Sequence, residues 1–206
     1  MSINDKNLQQ ATITKHRLFM RCALTLFILT VAILAKAQHL EFKGLPMCGS
    51  VSSFAQKLEV QGYKIVYNKG FNYALSGQFT GKDVNVLLLG SVKTGEIWKV
   101  AVMFDKSITW SDILNDYSSY VDLYTKKYGF PSDHFEFFEE PYRKGDGFEL
   151  QALRNGKCNY VSFFKTDKGT IVVEMSRDER LRLSYEDKIN AELQNKEKEA
   201  RNMDDI

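Results

Sequence analysis

The chain reads as an α+β protein in which a helix followed by an antiparallel sheet occurs twice, the two units packed together behind a cleaved leader. Three observations predict this: an apolar helical stripe opening at Ser50, a longer one opening at Thr109, and after each a series of strand-like segments separated by glycine-bearing turns. The repeat is one of layout and not of residues.

Ahead of both units, Cys22 to Ala35 is the longest apolar run. It falls short of the ~20 residues that a membrane-spanning helix needs. Lys15, Arg17 and Arg21 precede it, and Ala35-Lys36-Ala37 follows it. A basic flank, an apolar centre and a small-x-small site, in that order, are the parts of a secretory signal peptide. Residues 1–37 are therefore read as leader and signal peptide, with Met20 a more economical start than Met1. No cysteine closes the apolar run, which disfavours lipid attachment. The mature chain would begin at Gln38, carry no transmembrane segment and reside in the periplasm or outside the cell.

Of 28 basic and 26 acidic side chains, five basic ones (Lys6, Lys15, Arg17, Arg21, Lys36) and Asp5 fall within the leader. What remains is nearly neutral, so no field of one sign points to nucleic acid or an anionic membrane. Cys48 and Cys158 are the cysteines left after cleavage. In an oxidising compartment a disulfide between them would tie the two halves of the chain together.

The first unit opens at Gly49-Ser50, an N-cap, after which Val51, Phe54, Ala55 and Leu58 recur at helical spacing until Gly62. Strands follow over Tyr63 to Tyr67, Tyr73 to Phe79, Val84 to Leu89 and Ile97 to Phe104. Thr80-Gly81 and Thr94-Gly95 supply the turns. Period-2 alternation places Trp98 with Val100, Val102 and Phe104 on the buried face.

The second unit opens at Thr109-Trp110-Ser111-Asp112, a capping sequence. The stripe Trp110, Ile113, Leu114, Tyr117, Val121, Tyr124, Tyr128 then runs to the stop at Gly129 and Pro131. Tyr120 flanks that stripe and is the tyrosine of this helix expected to meet solvent. Further strands are expected at His134 to Glu139, Phe148 to Leu153, Cys158 to Phe164, Thr170 to Met175 and Leu181 to Tyr185. The domain thus spans 38–185, with 38–106 and 107–185 as its subunits. Residues 186–206 form a charged helix or tail, solvated and fraying, whose main apolar anchors are Ile189 and Leu193.

The signal peptide, the helix ending in Lys127-Tyr128-Gly129-Phe130-Pro131, and the segments Cys158-Asn159-Tyr160-Val161-Ser162-Phe163-Phe164 and Gly169-Thr170-Ile171-Val172-Val173 resemble uncharacterised exported proteins of Bacteroidota. In layout, the two helix-plus-sheet units are similar to the β-lactamase-inhibitory protein. Neither resemblance transfers a functional residue to this chain.

The chain holds no G-x-S-x-G, H-E-x-x-H, C-x-x-C or phosphate-binding loop; Gly77-Gln78-Phe79-Thr80-Gly81-Lys82 has the wrong spacing and lies in a hairpin. No catalytic residue, cofactor or metal site is assigned. His134 with Glu136 and Glu139 or Glu140 is the nearest approach to a metal set, and a charged edge strand accounts for it equally well. His39 with Cys48 lacks an orienting group. What remains is a non-catalytic exported module that binds a protein or an envelope component, with an unrecognised envelope hydrolase as the alternative. Its candidate binding residues are Phe135, Phe137 and Phe138, in a segment closed by Glu139, Glu140 and Pro141, together with Tyr120. Their alternation also admits a plainer role, in which Phe135 and Phe137 cap the core beneath the edge.

Mass spectrometry of the native protein is expected to find an N-terminus at Gln38. A terminus at Met1 or Met20 would refute processing after Ala37.

Overall fold

A computed structural model describes residues 38–204. The leader and signal peptide assigned to 1–37 lie outside the described residues. A two-stranded hairpin, β1 (Glu41–Phe42) and β2 (Leu45–Pro46), leads into helix α1 (Val51–Val60) and strands β3 (Lys64–Lys69), β4 (Asn72–Phe79), β5 (Lys82–Gly90) and β6 (Ile97–Lys106). Helix α2 (Trp110–Tyr128) and β7 (Asp133–Phe138) follow, then α3 (Glu149–Arg154), β8 (Cys158–Lys165), β9 (Gly169–Met175), β10 (Arg180–Asp187) and α4 (Lys188–Asp204).

The eight longer strands form one antiparallel sheet in the order β3-β4-β5-β6-β10-β9-β8-β7. After β6 the chain must pass four strand spacings, ~19 Å, to reach the far edge. Helix α2, with its 19 residues, is about 28 Å long and makes that crossing. Both of its ends are defined by sequence: the Thr109 hydroxyl accepts from the Asp112 N–H at 3.1 Å, and Gly129 ends it with φ +86°. At α1, Ser50 caps Ser53 in the same way at 3.2 Å.

The core lies between the helices and one face of the sheet. Val51, Phe54, Ala55 and Leu58 of α1 are buried, as are Ile113, Tyr117, Tyr120 and Tyr124 of α2. They meet alternate strand residues, including Leu75, Val86, Leu88, Val102, Val173 and Leu183, all without solvent exposure. Gly77 is required where it stands: a Cβ there would come within 2.4 Å of the Tyr63 ring.

Three expectations are corrected here. Phe148 to Leu153 is helix α3 instead of a strand. Its buried Glu149, Ala152 and Leu153 follow i, i+3, i+4 spacing, and Asn155-Gly156 ends the helix where a hairpin turn was expected. Trp98 does not share the buried face: the register shifts where β6 begins, so Ile97 enters the core and Trp98 is left half-buried. The Cys48–Cys158 disulfide is not formed, and both thiols are free. Cys48 sits beside the start of β6, where the Ile97 N–H donates to the Gly49 carbonyl at 3.0 Å. Lys165 lies at that same end of the sheet, through the rows Lys165–Thr170, Thr170–Glu186 and Glu186–Lys99. Cys158 is the length of β8 away, roughly 20 Å at ~3.3 Å per residue, far beyond the ~7 Å that a bridge tolerates.

Helix α4 is held by polar groups instead of apolar ones, and Ile189 is 43% exposed. The Asn190 amide donates to the Met47 and Ile97 carbonyls at 2.9 and 2.8 Å. Gln194 accepts from the Val92 N–H at 2.8 Å, and Glu197 accepts from the Lys93 N–H at 2.8 Å and the Thr94 hydroxyl at 2.6 Å. No helix among the described residues is long and apolar enough to cross a membrane.

Burial pushes the Glu197 carboxyl up, but hydrogen bonds from Thr94, Lys93 and Ser91 outweigh it and hold it below its ordinary value. Its contribution to stability is thus complete above the unfolded carboxylate value of about 4.3 and is lost as pH falls through the lower folded value. In Glu197→Gln at neutral pH, hydrogen exchange at Lys93 and Thr94 should quicken about tenfold to a hundredfold, the loss implied by charged hydrogen bonds of about 1.5–3 kcal/mol. Unchanged exchange would show that the carboxylate does not hold the loop.

Candidate functional site

Among the described residues strand β7 ends the sheet and is paired on one side only, with β8. Period-2 geometry splits its side chains between the faces: His134, Glu136 and Phe138 lie toward α2, and Phe135 and Phe137 lie opposite. On the face toward α2 Phe138 is half-buried, while the side chains of His134 and Glu136 remain 43% and 37% exposed. Phe138 packs on Trp110 and Tyr160, with ring centroids 5.7 and 6.0 Å apart, and His134 stacks on Tyr117 at 6.5 Å. Phe135 and Phe137, on the opposite face, do not cap the core and stay 45% and 43% exposed. Phe135 meets the half-buried Phe163 edge-on at 6.4 Å, and Phe163 is paired with the half-buried Val172 of β9. The result is an apolar patch on the last three strands, beside the unpaired edge.

A chain of polar groups runs from the buried Tyr117 and Ser162 out to the exposed His134 and Glu136 of this edge. The Tyr117 hydroxyl lies 2.8 Å from the Ser162 hydroxyl, Ser162 lies 2.8 Å from His134 Nδ1, and His134 Nε2 lies 3.3 Å from Glu136 Oε1. One set of protons satisfies all four groups. Tyr117 donates to Ser162, Ser162 donates to Nδ1 of a neutral imidazole, and Nε2–H donates to Glu136. Burial pushes the Tyr117 phenol up to about 12, against a smaller lowering by Ser162, so that the first donor keeps its proton.

Serine, histidine and carboxylate in a row are the parts of a nucleophilic triad, but the geometry here differs. Ser162 is fully buried and contacts Nδ1, whereas a triad serine presents its hydroxyl to substrate and to Nε2. The cavity of about 370 Å³ at Glu136 is bordered by Phe138, Tyr142, Arg143 and Tyr160, and by neither Ser162 nor His134.

No known relative decides between these readings. No protein-family model, no curated protein and no solved structure matches the chain. The site is therefore judged on its own geometry.

The other sequence candidates are dispersed. Tyr120, expected to meet solvent, is buried: α2 is rotated so that Ile113, Tyr117, Tyr120 and Tyr124 form its inner line at i, i+4, i+7 and i+11, and Leu114 and Val121 flank it. Its hydroxyl meets that of Thr80, and its ring borders a cavity shared with Tyr124 and Tyr185. Glu139 and Glu140 are engaged by Lys157 and Arg143 instead of joining His134 and Glu136. Among the described residues, no three His, Cys, Asp or Glu side chains are grouped to hold a metal. His39 pairs with Asp187 at 3.1 Å. The Cys158 thiol is pushed up to about 12 by burial, with Glu149 adding to the effect, and is thus no nucleophile.

Chemical denaturation separates the two faces of this edge. Phe135→Ser and Phe137→Ser should each cost less than about 1 kcal/mol, as surface substitutions do. Tyr160→Ala, which empties the space under Trp110 and Phe138, should cost about 3–5 kcal/mol. Comparable losses from all three would place the phenylalanines in the core.

Proposed function

We propose that the protein is an exported, non-catalytic module of the periplasm or exterior that binds a protein or an envelope component through the β7 edge and its exposed phenylalanines. Its architecture is read as two helix-plus-meander units packed together after a cleaved signal peptide, a reading supported by the strand order, which mirrors itself about β6 and β10.

One observation carries the binding assignment. Two phenylalanines stand next but one to each other on the solvent face of an edge strand, continuous with Phe163. Apolar groups grouped at an unpaired edge are a liability that folds ordinarily avoid. Aromatic anchors beside free backbone N–H and C=O groups are also what strand addition uses for affinity and specificity. The acidic flank of Glu139 and Glu140, with Lys157 and Arg143 beside it, forms a polar rim. The alternative, an envelope hydrolase, would draw on Ser162, His134 and Glu136, and the burial of Ser162 argues against it.

A photo-crosslinking residue placed at Phe137 in the native envelope is expected to give a discrete adduct that Phe135→Glu abolishes. The same group at Val60, which is 90% exposed on α1, should give none. Equal adducts at both positions, or none at Phe137, would remove the β7 edge as the partner surface.

A further inference from the structure

A second site lies beneath the C-terminal half of α2, where a cavity of about 280 Å³ opens between that helix, the β1–β2 turn and the β4–β5 turn. Its walls are aromatic: Phe79, Tyr120, Tyr124 and Tyr185. Among the wall phenols Tyr120 is paired with Thr80 and Tyr124 with Tyr185. Water in such a space finds few of the two to four polar partners that hold it. An apolar group that displaces it therefore gains affinity.

The rim is of opposite character. Lys43 reaches it from the β1–β2 turn and Lys127 from α2, with Glu41 as the carboxylate beside them. Neither lysine forms an ion pair among the described residues. Each instead rests near a tyrosine ring, Lys43 at 4.9 Å from the centroid of Tyr63 and Lys127 at 5.0 Å from that of Tyr128. Lys43 also makes a long contact to the Gln78 carbonyl, at 3.4 Å. Two ammonium groups against one carboxylate leave the mouth with a net positive charge.

We propose that this cavity binds a small amphipathic anion: an apolar body the size of one aromatic ring or a short acyl chain, carrying a single carboxylate that Lys43 and Lys127 receive at the rim. The volume suits a small ligand, since it lies at the lower end of the ~300–1,000 Å³ usual for ligand pockets. The aromatic walls set the apolar body, and the two lysines set the charge. This site is separate from the β7 edge, and its assignment does not depend on the partner proposed there.

The test titrates octanoate and phenylacetate, with octanol and 2-phenylethanol as neutral counterparts, into the purified protein, followed by NMR shifts and calorimetry. Saturable shifts centred on Leu123 and Tyr124 are expected, with each carboxylate bound roughly threefold to tenfold tighter than its alcohol, the range of solvent-facing charge contacts. The double variant Lys43→Gln/Lys127→Gln should abolish that preference while the alcohols still bind. Leu123→Trp fills the mouth from a side chain that is 51% exposed, so the fold should persist while all four probes are excluded. Alcohols binding as tightly as carboxylates would overturn the anion assignment. Shifts centred on the Phe135 patch, binding unaffected by Leu123→Trp, or no saturable shifts at all would overturn the site.

Discussion

Where β6 meets β10, the last strand of one four-stranded run is paired with the last strand of the other, through Arg182–Met103, Leu183–Val102, Ser184–Ala101 and Tyr185–Val100. Without that ladder each half would be a four-stranded sheet with an open edge. With it, the inner residues of both halves share one core under two helices. Both ends of β10 are secured by buried carboxylates. At its start, Glu179 is 4% exposed at its side chain and meets Lys106 from the end of β6 at 2.5 Å and Arg154 from α3 at 3.1 Å. At its end, the fully buried Asp187 accepts from the Leu40 N–H at 2.8 Å and the Asn190 N–H at 3.0 Å. Buried charge is costly unless its oxygens are satisfied, and losing one partner leaves the cost uncompensated. These carboxylates therefore fix the ends of β10 more strictly than apolar contact would.

The position of the candidate binding edge follows from this central pairing. Once β10 occupies the place beside β6, β9 and β8 build outward from it, and β7 can be accommodated only at the far side. The helix that carries the chain there lies on the face it crosses, so Phe138 of β7 packs beneath Trp110, while Phe135 and Phe137 lie on the other face and stay exposed. Exposure of Phe135 and Phe137 is thus set by topology. No local property of the segment Asp133–Phe138 would have produced it.

The same logic separates what could be read in the sequence from what could not. Helix α2 was legible because its stop and start signals are local: Thr109 caps it and Gly129 with Pro131 ends it. The alternation of Phe135 and Phe137 was legible too, but which of the two β7 faces the helix would cover was not. Helix α3 was misread because six residues satisfy period 2 about as well as period 3.6. Tyr120 looked peripheral because a stripe of seven candidates is wider than the line a helix buries, and the rotation chosen depends on strands 40 to 65 positions away in sequence, as its neighbours' contacts with Ser162 and Tyr185 indicate. For α4, the polar residues Asn190, Gln194 and Glu197 resemble any solvated helix face until the backbone N–H groups of Val92 to Thr94 are brought to them.

The use of tyrosine along α2 has a physical rationale that links both candidate sites. An aliphatic stripe would bury comparable area but would let the helix slide or rotate on the sheet at modest cost, since apolar contact is non-directional. Each inward phenol instead needs one partner and finds it in a different place: Tyr117 at Ser162 on β8, Tyr120 at Thr80 in the β4–β5 turn, and Tyr124 at Tyr185 on β10. No buried side-chain nitrogen or oxygen among the described residues is left without a partner. A displacement of α2 by one residue, ~1.5 Å of rise and ~100° of rotation, would break all three hydrogen bonds and strand the phenols in low dielectric, where each unmet group costs about 1–3 kcal/mol. Three separated fastenings thus define one position for the helix. Its N-terminal half then holds Trp110 and Tyr117 behind the β7 edge, and its C-terminal half holds Tyr120 and Tyr124 as the roof of the aromatic cavity.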